Sequence, residues 1–168
     1  MPDAFTLCLT SVEAVALSFF IDRAVSKPCS MISDFLHSDL HFKLVITCHV
    51  FLHIAAMVYN SITMIQKCAL VVSACGWAML LAITIHKSRP WHDLGVAVHC
   101  SGLFVYGMLR CVEFSTPWVE ILILDIGICL VLAFVYGYMS ASDSDKAYIP
   151  QHALFLIGQT SCVLMVYH

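Results

Sequence analysis

Six apolar stretches of membrane-spanning or near-spanning length follow one another along this chain, separated by short polar breaks. No other feature restricts the fold as much, because lipid offers no partners to unpaired backbone groups and segments of this kind must cross as helices. The stretches cover roughly residues 5–21, 44–65, 68–85, 94–109, 119–139 and 149–167. The predicted fold is all-α: one domain over residues 1–168, a polytopic membrane bundle of six transmembrane helices.

Composition agrees, with 61% of residues hydrophobic and only 11% charged. A soluble core of this size needs far more polar surface. The formal charge of −3 is small and dispersed, so neither a nucleic-acid partner nor a polybasic lipid clamp is expected. Eight of the nine cysteines fall in or beside apolar stretches and no C-x-x-C pair occurs; they read as small buried hydrophobes rather than a disulfide framework. Residues 5–21 lack a positively charged start and contain Glu13, which predicts a retained first helix rather than a cleaved signal.

The breaks give the order of elements. A polar stretch of about twenty residues with Pro28, Ser33, Asp34 and Asp39 is the longest loop; Gln66 and Lys67 alone split the second span from the third, which predicts a tight helical hairpin. Pro117 and Trp118 open the fifth span in the manner of a helix start at a membrane interface. Arg23, Lys27, Lys43, Lys87, Arg89 and Lys146 share one side against Lys67 and Arg110 on the other, so the charge rule places the first, third and fifth loops in the cytoplasm. Ser73, Gly76, Gly102 and Gly107 would allow close helix approach.

Ionisable residues inside spans are costly and point to chemistry or to interhelical bonds. Glu13, His49, His53 and His99 form the candidate intramembrane polar cluster: His49 and His53 are one turn apart, and His49 follows Lys43 at the same spacing as His99 follows Asp93, which predicts similar depth. Such a cluster suits structural hydrogen bonds above all, then lipid contact, proton relay, or a metal ion or haem. Asp125 lies nearer the opposite face, as a packing bond or a partner for Arg110. Tyr148, Pro150, Gln151 and His152 resemble a helix start in two-haem membrane cytochromes, but the opposite face has no imidazole inside a span. No resident cofactor is therefore expected, with haem or a metal ion as the minority alternative. Ser33, Asp34, Ser38 and Asp39 with His37 and His41 have the residue types of a metal-assisted lipid hydrolase, though the spacing is not diagnostic. Nucleophile-elbow, phosphate-loop, zincin and selectivity-filter patterns do not occur, so the sequence assigns no catalytic residue and leaves enzyme status open.

Several loop signatures in order resemble the Frag/DRAM/Sfk family, whose shared region is also called the CWH-type N-terminal domain. They are Ile32, Ser33 and Asp34 after Pro28; the tight connection at Lys67; His92 followed by Gly95; Trp118 and Val119; and Asp145, Lys146 and Tyr148. Where that family usually has Glu-Trp in the last helix, this chain has Gly158 and Gln159. The resemblance implies an endomembrane protein of the ER, Golgi or lysosome that handles or regulates membrane lipids, through GPI-anchor lipid remodelling, phospholipid distribution or autophagy and lysosome regulation. It also makes Ser33, Asp34, His92 and Tyr148 candidate lipid-headgroup residues, and places the first loop in the lumen, against the charge count. The partners implied are membrane lipids. Other subunits join them if the chain is instead a small accessory part of a membrane complex.

Overall fold

The computed structural model describes residues 4–27, 30, 32–83, 87–112, 118–142 and 146–167. Pro28, Cys29, Pro117, Asp143 and Asp145 lie outside the described residues, as do the side chains of Ser33 and Gln159. The described residues form seven helices: α1 (Ala4–Ser26), α2 (Ile32–Ser38), α3 (Leu40–Asn60), α4 (Met64–Ala82), α5 (Arg89–Cys111), α6 (Trp118–Ala141) and α7 (Tyr148–Tyr167). Among the described residues there is no strand. The all-α expectation holds.

The number of spans is where structure and sequence part. Among the described residues four helices, α3 to α6, are long and apolar enough to cross a membrane, against the six predicted. α1 has the length, at 23 residues, but Glu13, Asp22 and Arg23 all fall within its described part, and several α7 side chains are undescribed. The outer surface carries the membrane signal. In α6 only 6% of the most apolar stretch is buried inside the protein, leaving Ile123, Leu124, Leu130, Val131 and Phe134 exposed. A contiguous apolar face of this kind is costly in water and suits an apolar surrounding.

Helix ends are set by local chemistry that the apolar pattern does not show. The second-to-third connection is Ser61–Thr63, and Gln66 and Lys67 sit in the first turn of α4 instead of forming the turn. Thr63 caps α4: its Oγ1 accepts from Gln66 N at 3.2 Å, while Gln66 Oε1 accepts from Thr63 N at 3.0 Å and Ile62 N at 2.9 Å. That capping box satisfies the exposed amides, so an apparent polar break is a helix start. Likewise the long first loop contains α2. Asp39 ends that loop as the cap of α3, accepting from Phe42 N at 3.0 Å, and Pro90 sits in the first turn of α5, where its missing N–H costs nothing.

Consecutive helices pack unequally. α4 lies most extensively against α5, and α6 against α7, while the α3–α4 hairpin partners touch far less. The reason is glycine: a Cβ on Gly76 would lie 2.3 Å from His99 N, and one on Gly102 would lie 2.5 Å from both Ala69 O and Ser73 N. These helices meet backbone to backbone. α3 packs most on α1, and two bonds join it to the later helices, Tyr106 Oη donating to Met57 O at 3.2 Å and Asn60 Nδ2 to Val166 O at 2.9 Å. The cysteines differ from expectation too. Of those described only Cys162 is fully buried, while Cys8, Cys48, Cys68 and Cys75 face outward, because a lipid-facing side needs small or apolar side chains as much as a core does.

A histidine-lined interhelical cavity as candidate functional site

Where α3, α5, α6 and α7 fail to close on one another they leave a cavity of about 250 Å³, capped at one end by Ile32 and Leu36 of α2. Ligand pockets run from about 300 to 1,000 Å³ and an engineered apolar void of about 150 Å³ already takes benzene. The space suits a slender apolar group. Its wall is mostly aliphatic and aromatic, and no described wall residue is Asp, Glu, Lys or Arg.

Four imidazoles line it: His49, His53, His92 and His99. The sequence separates these into an intramembrane cluster and a headgroup residue, and the fold joins them. His92 is 2% exposed although it lies only three residues into α5, and it shares the cavity wall with Ile32 and Leu36 of α2; its Nδ1 is 3.4 Å from Asp93 Oδ1. His49 and His99 lie at the similar depth expected of them, while His53 lies deeper and His92 nearer the end. At about 1.5 Å per residue, His49 and His99 lie at about 14 and 15 Å from the shared end of α3 and α5, His53 at about 20 Å and His92 at about 5 Å. The imidazoles form a file running inward from one end.

Local bonds fix their tautomers. His53 Nδ1 is 3.1 Å from His49 O, and since a carbonyl only accepts, the proton is on Nδ1 and Nε2 is left as an acceptor. His99 Nδ1 donates to Ser73 O at 3.0 Å beside the Ser73 hydroxyl at 2.9 Å, and its ring lies 5.3 Å from Trp77. The His49 and His53 rings are 4.3 Å apart. Among the described residues no group of three His, Cys, Asp or Glu side chains converges as a metal site would require.

The remaining predicted residues are distributed differently. Glu13 is half-buried on α1 and is absent from the cavity wall, so it does not join the histidines; its position along the helix says nothing about which face of α1 it occupies. Asp34 is partly buried on α2 and belongs, with Asp93 and Arg89, to the electrostatic surroundings of Tyr136. Asp34 and His92 therefore do share one end of the bundle. Tyr148 stands against His152, ring centroids 5.8 Å apart, and does not line the cavity. Ser33 belongs to α2, with its side chain outside the described set. Asp125 lies on α6 near Ser161 of α7, and its Oδ2 is buried without a hydrogen-bond partner.

Sequence reasoning missed three features. Trp77, Cys100, Cys129, Cys162 and Gln151 also line the cavity; as apolar or amide residues in apolar stretches they carry no individual signal. Gln151 Oε1 accepts from Ile32 N at 2.8 Å and His152 Nε2 donates to Ser30 O at 3.0 Å, which fastens the first loop over α7. At the same end Ser38, Asp39 and His41, read in the sequence as hydrolase residue types, share a polar recess with Arg23 and Lys27, and this pairing with the two cations is what the sequence did not show. There Arg23 binds Asp39 Oδ2 at 2.6 Å through Nε, and the Phe42 amide and this guanidinium hold the Asp39 carboxyl below the usual carboxylate range.

No family model, no curated protein and no solved structure matches this chain.

Proposed function

We propose that this chain crosses the bilayer six times, through α1 and α3 to α7, and handles or regulates a membrane lipid in an endomembrane compartment. The observation that carries the reading is the apolar cavity, lined at one end by His92 and by Ile32 and Leu36 of α2, beside a polar rim holding Asp34, Asp93, Arg89, Arg23 and Lys27. Acyl carbons fit the former and a headgroup the latter. GPI-anchor lipid remodelling, phospholipid distribution and autophagy or lysosome regulation are the roles that the resemblance to the Frag/DRAM/Sfk family supplies. A lipid-remodelling or lipid-distribution assay in cells lacking the protein tests this. The Asp34→Ala, His92→Ala double variant should fold, fail to restore lipid handling, and purify with less bound lipid; full restoration would remove the site.

One observation favours a second reading, a haem- or metal-binding redox protein: four imidazoles line one cavity. A Soret band or stoichiometric metal in purified protein, lost when His49 and His99 are replaced, is its signature.

A further inference from the structure

The cavity has a definite length. At about 1.5 Å per residue, its wall begins about 5 Å from the shared end of the bundle, at His92 of α5 and Gln151 of α7. Its deepest residues reach nearly one level in four helices: Met57 of α3 and Met165 of α7 at about 26 Å, Phe104 of α5 and Ile126 of α6 at about 23 Å. A floor is built there. Ile126 and Met165 close over Gly107, where a Cβ would lie 3.1 Å from Ile126 Cδ1 and 3.3 Å from Met165 Sδ. Close to the same level Tyr106 and Asn60 make the bonds that join α3 to α5 and α7. Mouth to floor is therefore about 18–21 Å along the helices. An enclosed volume of about 250 Å³ is small for such a length, so the space is narrow and admits one chain, not two.

Its ends differ in chemistry. The floor is methionine, phenylalanine and isoleucine, and no charged residue described in the wall would balance a charged ligand group. The mouth offers a donor: Gln151 is only partly buried, its Oε1 is taken by Ile32 N, and its amide hydrogens remain to bond a carbonyl oxygen. A lipid tail thus belongs inside and its polar end at the mouth. Resting on the lipid-handling reading above, we propose that the cavity is a ruler for one acyl chain, its ester carbonyl at Gln151 and its terminal methyl on the Met57–Met165 floor. At about 1.2 Å per bond in a fully extended chain, that length takes about 15–17 carbons. A charged headgroup stays at the rim, where the cations are.

Monoacylglycerols of about 8, 16 and 20 carbons with a diazirine at the chain end test this, on the full-length protein in vesicles of branched-chain diphytanoyl phosphatidylcholine. The 16-carbon probe should label peptides holding Met57, Ile126 or Met165 at least fivefold above the other two, and unlabelled 16-carbon lipid should compete. Gly158, a wall residue with nothing within 4 Å of a Cβ, stands about halfway down, at about 15 Å. Gly158→Leu should block the tube there, cut 16-carbon labelling of the floor at least fivefold and make the 8-carbon probe the preferred one. Equal wall labelling by all three lengths would overturn the ruler and leave a lipid cavity standing. Stronger wall labelling by a photoactivatable sterol would overturn the acyl occupant. Absence of wall labelling by every probe would remove the lipid-holding reading itself. An unchanged length order in Gly158→Leu would sink the path along α7; should that variant fail to fold, Ala133→Leu, in the same wall on α6, replaces it.

Discussion

The α4–α5 seam and the histidine cavity are neighbours built on opposite rules. Along the seam Gly76 and Gly102 let the two backbones touch, while Gly95 gives room to the Leu80 and Met79 side chains at 3.2 Å. Across α5, α4 offers Trp77 and Leu80 to the cavity, and α3, α6 and α7 stand far enough off to leave space lined by imidazoles and thiols. Close packing supplies the cohesion of helices in lipid, where expelling water supplies none. A tight seam on one face of α5 permits a loose one on the other. His99 belongs to both, since its backbone meets Gly76 while its ring lines the cavity.

The strongest way to break that contrast is to put a side chain into the seam. Gly102→Ala and Gly76→Ala each place a Cβ within 2.5 Å of opposing backbone, and overpacking costs about 1–3 kcal/mol where soft side chains yield; rigid backbone should cost at least that. Each variant should lower the melting midpoint in detergent sharply and the pair should abolish folded yield. Gly137→Ala, with nothing within 4 Å, is the control and should hold or slightly raise the midpoint.

The cavity predicts the reverse pattern. Gly158 lies in its wall with nothing within 4 Å of a Cβ, so Gly158→Leu fills space instead of forcing backbone apart. Bound lipid, measured by mass spectrometry of purified protein, should fall severalfold with the midpoint kept within a few degrees. A steep loss of stability would show that the wall is as tightly packed as the seam.

Smaller effects sharpen the edges of both regions. Gln66→Ala strips the reciprocal cap that aligns α4 with the seam, and should cost about 1 kcal/mol, read as a lower midpoint with the ligand preference unchanged. The smallest effect concerns Asp39, whose carboxyl is held down by the Phe42 amide and Arg23. A depressed folded-state value means that this stabilisation is present at neutral pH and is lost as the pH falls through it. Melting midpoints taken from pH 7 toward pH 3 should fall less steeply in Asp39→Asn than in the unaltered protein.

How much was legible can be seen residue by residue. The helical fold and the four clearest spans follow from apolar runs, since the bilayer leaves the backbone one means of satisfying itself. The polar Gln66 read as a break because capping reverses its meaning, and only its bonds to Ile62 and Thr63 show that. His49 and His53 were visible as one face of one helix. His92 looked like a rim residue because it stands near the start of its helix, and only the assembled bundle buries it; Glu13 was grouped with the histidines because depth along a helix is legible where facing is not.

By itself, then, the sequence determined that this is a helical protein with an apolar exterior, and it supplied the imidazoles at intervals that put them on inward-running faces. Only the tertiary structure decided which of them share a cavity, which helix pair meets through glycine, and which polar atoms are left without partners. The division has a physical cause: hydropathy and helix period act within one segment, whereas cavities and unpaired atoms arise from how several segments fail to fill the space between them.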